Sequence, residues 1–363
     1  MKPLLTFDEG GSSHRVYQLI GWAAFAAIVL WLPFGASTTD VGRFSDSMAF
    51  AVAVMGLNIV TGLSGQVSLG HSAFMGTGAF TTAVLVADHN WSFFATVPMA
   101  ALICFAVGVV IGVPALRLKG LYLALATLGL SIIFPKVVEK YDFTGGSNGK
   151  LLGRKQHLVP PAWTHLDPQS DRHIWIYFVI LAFTVVLFAL ARNLFRSRPG
   201  RALIALRDNP VGAEVSGVNL PLYKVMAFGL SAAYAGIAGS LLMFNTNIAS
   251  GSSYSLNRSI ALITGLVIGG LATIAGPVIG GVIVVWLPQL ISDRIHGDNP
   301  RDNAWSTIVY GGALIGIMFA YPGGLASLMR TARSKVVSIR PRIPRHRDPS
   351  PDVDETNAVV TAE

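Results

Sequence analysis

The stretch that decides the fold is GLNIVTGLSGQVSLGHSAFMGTGAF, residues 56–80. It holds six glycines among small, hydroxyl and apolar side chains, and it contains no Asp, Glu, Lys or Arg. Glycine and serine let membrane helices approach closely, and they also permit unwound backbone where neighbouring helices or a cavity satisfy its polar groups. The stretch therefore predicts a membrane-embedded element that contributes to a translocation path.

Four polar side chains of this stretch are the candidates for that path: Asn58, Gln66, Ser68 and His71. Such groups are unfavourable at membrane depth unless they face protein or water, which makes them functional candidates by default. The alternative is structural, since a buried His or Gln often bonds only a backbone carbonyl of an adjacent helix. No second His, Asp or Glu lies nearby in the sequence, so neither a metal site nor a proton relay is predicted.

The composition supports a membrane protein. Of 363 residues, 52% are hydrophobic and 13% are charged, whereas soluble domains have about 25% charged residues. A membrane-spanning helix needs about 20 mainly apolar residues. About ten runs approach that length: Val16–Phe34, Phe44–Leu63, Gln66–Ala87, Ser92–Pro114, Gly120–Val138, Ile174–Ala191, Val225–Asn245, Ser259–Ile274, Pro277–Ile291 and Trp305–Tyr321. The predicted fold class is an all-α polytopic transmembrane bundle. Short runs such as Pro277–Ile291 leave re-entrant helices open, so the count is roughly eight to ten.

The basic residues predict the orientation. Lys and Arg crowd the connection 192–224 and the tail after residue 330, and short basic connections are retained in the cytoplasm. We expect a cytoplasmic N-terminus over 1–15, a transmembrane permease domain over 16–330 with an external loop at 141–173, and a disordered cytoplasmic tail over 331–363. Both termini are then cytoplasmic. Membrane topology explains the net charge of +8, and no nucleic-acid partner is predicted.

A second small-residue stretch, Gly265–Gly281, resembles the first in composition. Gly276–Pro277 within it is a predicted helix break. Two broken segments in the two halves of a transporter often place a substrate site near the membrane midplane. Simple close packing of helices is the alternative.

The predicted cytoplasmic segment Gly200–Lys224 has the pattern of a docking element. Arg201–Leu206 predicts a short amphipathic helix, and Asn209–Pro210 predicts the start of a second helix that ends at Gly217 and Asn219. Such a pair could seat in a groove of another protein. A solvated basic loop is the alternative.

The sequence has no ATP-binding signature. Residues 145–150, GGSNGK, resemble a phosphate loop, but Thr144 replaces the required glycine and Leu151 replaces the Ser or Thr after the lysine. Energy must come from a partner or an ion gradient, or transport must be passive. An ion-coupled carrier would need acidic residues within spans, and the clearest candidate, Glu139, lies at a span end. An intramembrane enzyme would need a partner for His71, so no enzymatic activity is predicted.

Five ordered blocks, at residues 56–80, 116–149, 200–242, 269–281 and 310–325, resemble the permease family of high-affinity branched-chain amino acid importers, specifically the larger of its two permease subunits. The resemblance implies a multi-pass protein of the bacterial inner membrane. It implies a complex with a second permease subunit, two ATPase subunits that bind the ATP, and an external solute-binding protein, with no cofactor in this chain.

The resemblance also implies roles for individual residues. The segment that matches 200–224 couples the permease to the ATPase, which assigns that role to Arg207, Asp208, Ala213, Glu214 and Gly217. The match departs from the family pattern at Pro210, which a first helical turn tolerates, and at Ala272 and Ala275. Related permeases for urea or short-chain amides share these blocks and remain an alternative.

Overall fold

The computed structural model describes residues 5–8, 26–118, 120–153, 158–161, 164, 167, 170–295, 308–309, 311–312, 314–316, 319–320, 323–327 and 337–340. The helices are α1 Ala26–Gly35, α2 Thr38–Leu57, α3 His71–Ala87, α4 Phe93–Ala115, α5 Leu121–Lys140, α6 Arg172–Arg196, α7 Arg198–Asp208, α8 Pro210–Val215, α9 Leu220–Thr246, α10 Leu256–Gly269 and α11 Gly276–Ile295. The short strands are β1 Leu5–Asp8, β2 Lys150–Leu151, β3 Ile248–Ala249 and β4 Val337–Arg340.

Six helical segments in the described part of the chain are long and apolar enough to cross a membrane. They are Thr38–Leu63, Phe93–Ala115, Leu121–Lys140, Arg172–Arg196, Leu220–Thr246 and Gly276–Arg294. The protein is thus an all-α, multi-spanning membrane protein. Ten spans and cytoplasmic termini stay predictions, and much of the predicted first and last spans lies outside the described residues.

Two helices, α2 and α9, form the interior of the bundle. In their most apolar windows 83% and 72% of residues are buried, against 28% in α4, α5 and α11. Helices α3 and α4 pack on α9. A Cβ at Gly78 of α3 would collide with the backbone of Gly236, and a Cβ at Gly236 would lie 2.7 Å from Cys104 Cβ of α4. The predicted close packing through glycine is therefore confirmed for the first stretch.

The structure corrects two predicted spans. The run Gln66–Ala87 is not one helix, because α3 begins only at His71. Likewise α10 ends at Gly269, before the predicted end at Ile274, and α11 begins at Gly276 as the Gly276–Pro277 break predicted. Each break leaves a short non-helical segment between two helices.

Strands occur in two places. The described residues within 1–30 and 330–363 belong to a unit of their own, in which β1 pairs in parallel with β4, from Leu5 with Val337 to Asp8 with Arg340. Four residues of the segment predicted to be disordered are thus a strand, and residues 341–363 lie outside the described part. Within residues 31–329, β2 pairs with β3.

Candidate translocation path and coupling segment

The first broken segment, residues 58–70, connects α2 to α3. Helix α2 continues into a π-helical turn, Asn58–Leu63, and residues 64–70 are non-helical. Gly65 has a φ of +71°, and a Cβ there would lie 2.7 Å from Arg207 Cγ. Glycine is required at position 65 both by the backbone conformation and by the neighbouring arginine.

The second broken segment, residues 270–275, connects α10 to α11. Gly270 has a φ of +120°. The Thr273 hydroxyl donates to Gly270 O at 2.8 Å and accepts from Gly276 N at 3.0 Å. One hydroxyl therefore closes the turn and caps the first free N–H of α11.

Asn58 joins the two broken segments. Its Nδ2 donates to Thr273 O at 2.8 Å, and Ala272 N donates to its Oδ1 at 2.8 Å. Asn58 is fully buried. A Cβ at Gly62 would collide with Asn58 Oδ1, so the glycine makes room for this bridge. Segments that lie more than 200 residues apart in sequence are thereby held as one unit.

The other three path candidates, Gln66, Ser68 and His71, have buried side chains. His71 Nε2 is 2.9 Å from Ala53 O on α2, which is the structural contact considered as the alternative. Gln66 Nε2 donates to Ser64 Oγ at 2.7 Å. Ser68 Oγ and His71 Nδ1 are buried with no hydrogen-bond partner among the described residues. Gln66 and His71 thus make contacts within the chain, Ser68 makes no side-chain hydrogen bond to the described residues, and contact of all three with solute stays a prediction.

A hydroxyl cluster that sequence reasoning missed fixes the end of the same segment. Thr127 Oγ1 accepts from Leu69 N at 2.9 Å, and Ser131 Oγ donates to Leu69 O at 2.7 Å. Ser131 Oγ is also 3.0 Å from Ser259 Oγ, which donates to Ser72 Oγ at 2.8 Å. The signal in the sequence was the spacing of Thr127 and Ser131, four apart in an apolar run and hence on one helix face.

The segment Gly200–Lys224, which is predicted to couple the permease to an ATPase and is called the coupling segment below, contains the predicted pair of short helices, α7 and α8. Ser197 caps α7 by accepting from Gly200 N at 3.3 Å, and Asn209 caps α8 by accepting from Gly212 N at 3.0 Å. Pro210 is at the first helical position, where its missing N–H has no effect. Asn219, expected to end α8, instead caps α9 by accepting from Leu222 N at 3.1 Å.

Arg207, at the end of α7, connects the coupling segment to the first broken segment. Its Nη1 donates to Gly62 O at 2.7 Å, and its Nε donates to Asp208 Oδ1 at 2.8 Å. Beside this contact Leu203 of α7 packs in a buried cluster with Leu63 and Ala227. A movement of α7 therefore acts directly on the π-helical turn.

Helix α8 turns an apolar face outward. Val211 is 72% exposed and Val215 is 86% exposed, and Glu214 between them in sequence is also exposed. Ala213 is buried, so it packs within its own chain, and Gly217 ends the helix with a φ of +84°. Of the residues expected to engage an ATPase, Glu214 is available for contact and Ala213 is not.

Residues 42–318 match the family model described as the branched-chain amino acid transport system permease component. The chain belongs to this family. It is 30% identical over 333 residues to the high-affinity branched-chain amino acid transport system permease protein LivM of Salmonella typhimurium, an alignment that covers 87% of this chain and 76% of that protein. The LivM protein of Escherichia coli is 30% identical over 347 residues, which are 91% of this chain and 79% of the relative.

The permease also resembles a family member with another solute in its name. It is 29% identical over 338 residues to the galactose/methyl galactoside import permease protein MglC of Salmonella typhimurium, covering 86% of this chain and 94% of that protein. No solved structure gives a significant match. The family consists of transport permeases rather than enzymes, and the permease is a membrane subunit of an importer.

Proposed function

We propose that this permease is the larger membrane subunit of an ATP-driven importer that translocates branched-chain amino acids delivered by an external solute-binding protein. The permease lies in the inner membrane of a bacterium with both termini and residues 192–224 in the cytoplasm. Its partners are a LivH-type permease, two ATPases that bind the ATP, and the binding protein. The choice of branched-chain amino acids as the solute is supported by the names of two relatives, which are high-affinity branched-chain amino acid transport system permease proteins.

The observation that carries this proposal is the hydrogen bond from Arg207 to Gly62. It joins the coupling segment to the first broken segment, and Asn58 joins that segment to the second. Unwound backbone at membrane depth is tolerated where protein buries it or where it lines a cavity, and broken helices form the substrate sites of many transporters. An ATPase that seats on α8 would thus move both broken segments through two side chains.

The ATPase contact has the composition of a docking site. Val211 and Val215 offer exposed apolar area, and the exposed Glu214 adds a charge that can select a basic partner. Exposed apolar side chains beside polar ones are typical of protein interfaces. The coupling roles of Arg207, Asp208 and Glu214 follow from this arrangement, with Gly217 ending the docking helix.

The test is the charge reversal Glu214→Arg in the assembled importer. We expect the variant to insert in the membrane but to lose copurification of the ATPase and solute-stimulated ATP hydrolysis. Asp142→Arg is the matched control, because it reverses an exposed carboxylate in the predicted external loop and should leave both properties unchanged. Normal uptake by the Glu214→Arg variant would refute the coupling assignment.

The solute is tested separately. Uptake of labelled leucine, isoleucine and valine is compared with uptake of urea and galactose in the same importer. We expect the branched-chain amino acids to be transported. Uptake of urea or galactose without amino acid uptake would reassign the permease to a different solute class.

A further inference from the structure

A charged pair that the coupling mechanism does not use lies at the far end of the bundle. Asp46 of α2 hydrogen bonds with Asn245, near the end of α9, and Arg258 lies near the start of α10. Asn245 is 25 residues beyond the start of α9, or roughly 37 Å at 1.5 Å per residue. Sequence reasoning weighed Glu139 and overlooked Asp46, although Asp46 lies inside a predicted span.

Asp46 uses only part of its hydrogen-bonding capacity. Its Oδ1 accepts from Asn245 Nδ2 at 2.7 Å, and the same Nδ2 donates to Gly42 O at 3.0 Å. Within the described chain, Oδ2 has no hydrogen-bond partner. A carboxylate accepts about four hydrogen bonds in total, so the second oxygen is available to a donor from outside the chain.

Arg258 is similarly incomplete. Its Nε donates to Ser253 O at 3.0 Å, and its Cζ lies over the Phe50 ring, 4.8 Å from the ring centroid. The described residues supply no partner for the two Nη groups. Both Asp46 and Arg258 are partly exposed on this chain.

The two charges are close but do not touch. Phe50, beneath the guanidinium, is one helical turn beyond Asp46 on α2, so it lies on the same helix face. Arg258 and Asp46 attract each other electrostatically, yet no N···O contact within 4.0 Å joins them, unlike the four ion pairs found in the described part of the chain. A purely structural pair would gain most from direct contact.

We propose that Asp46 and Arg258 form a recognition site for a zwitterion, the ammonium and carboxylate groups of an α-amino acid. The ammonium donates to Asp46 Oδ2, and the carboxylate accepts from the Arg258 Nη groups. Both groups are attached to one carbon of such a solute, which suits opposite charges held apart, Asp46 on α2 and the Arg258 guanidinium of α10 over the Phe50 ring of α2. The inference rests on the proposed function and specifies which part of the solute the permease binds.

The site recognises what all α-amino acids share. No side chain of the pair selects among leucine, isoleucine and valine, so that selection is left to the binding protein. A neutral solute such as urea or galactose has neither an ammonium nor a carboxylate group for Asp46 and Arg258 to bind. Opposite charges near a membrane boundary are retained at a desolvation cost, which a ligand for both offsets.

The experiment measures uptake of labelled leucine by the assembled importer in proteoliposomes. The variants are Asp46→Asn, Arg258→Gln and the double variant. Asp46→Asn keeps an acceptor for Asn245 and removes the charge. Arg43→Gln is the matched control, because Arg43 lies one turn from Asp46 and pairs with Asp40 instead. Protection of the buried Cys104 thiol reports folding of each variant.

We expect each single variant to lose about tenfold to a hundredfold in uptake efficiency, with ATP hydrolysis stimulated by the binding protein and Cys104 protection retained. The double variant should be no better than the worse single variant, and Arg43→Gln should match the wild type. Unchanged uptake in either single variant overturns the site. Recovery in the double variant also overturns it, because two charges that only serve each other are dispensable together.

Three outcomes separate the failure of the zwitterion site from a structural role of the pair and from the failure of the proposed function. Loss of uptake together with loss of Cys104 protection assigns the pair a structural role and overturns the site. Absence of leucine uptake by the wild-type importer refutes the proposed function itself. Leucine uptake that is insensitive to both single variants refutes the zwitterion site alone.

Discussion

Replacing Asn58 by alanine should separate the two broken segments. The substitution removes both hydrogen bonds of 2.8 Å between Asn58 and the backbone of Ala272 and Thr273. It leaves one N–H and one C=O without their partner at a site where the Asn58 side chain itself is fully buried. Alanine also leaves an empty space beside Gly62, because the Asn58 amide occupies the room that the missing Gly62 side chain provides.

The magnitude follows from the two orphaned groups. A buried donor or acceptor that loses its partner destabilises the protein by about 1–3 kcal/mol. Two such groups give a loss of about 2–6 kcal/mol in the free energy of unfolding, with the lower end expected where water reaches Ala272 and Thr273, which are only partly buried. We expect uptake to fall in parallel, because α11 is no longer held to the π-helical turn.

The assay uses the single cysteine, Cys104, a fully buried residue of α4 whose thiol donates to Phe74 O of α3 at 3.4 Å. A thiol-reactive fluorescent dye added during heating of the detergent-solubilised permease reports unfolding as Cys104 becomes accessible. Asn257→Ala is the control, since Asn257 is exposed on α10 and surface changes usually stay within about 0.5 kcal/mol. The same transition temperature for both variants would refute the bridge.

Two more predictions concern packing and coupling. Gly78→Ala should lower the free energy of unfolding by about 1–3 kcal/mol, because the added Cβ would collide with the Gly236 backbone. Gly129→Ala is the control, because a Cβ there meets no atom within 4 Å, and it should be neutral or stabilising by up to about 1 kcal/mol. Equal shifts of the transition temperature of both variants in the dye assay would contradict the packing. The Arg207→Gln variant should retain copurification of the ATPase and its ATP hydrolysis but lose at least about 90% of uptake, since a hydrogen bond from a charged group contributes about 1.5–3 kcal/mol. A ratio of solute transported to ATP hydrolysed equal to that of the wild type would contradict the connection to Gly62.

Local features of the fold were predictable from the sequence. Apolar runs gave most of the spanning helices, and the Asn209–Pro210 pair gave the start of α8, because capping and helix breaking depend on neighbouring residues alone. The break at Gly276–Pro277 was predicted for the same reason. The start of α3 at His71 was not predicted. Residues 66–70, QVSLG, do not distinguish a helix from backbone that Thr127 and Ser131 hold unwound.

The sequence by itself determined the membrane class, the short helices α7 and α8 and the two glycine-rich stretches, because each depends on composition or on spacing between nearby residues. Only the tertiary structure decided that Asn58 bridges the two broken segments, that Arg207 reaches Gly62, and that Asp46 lies near Arg258. The two hydrogen-bonded contacts join residues separated by 145 to 215 positions, and Asp46 and Arg258 belong to α2 and α10. Such pairings arise from helix packing around α9, which no local pattern encodes.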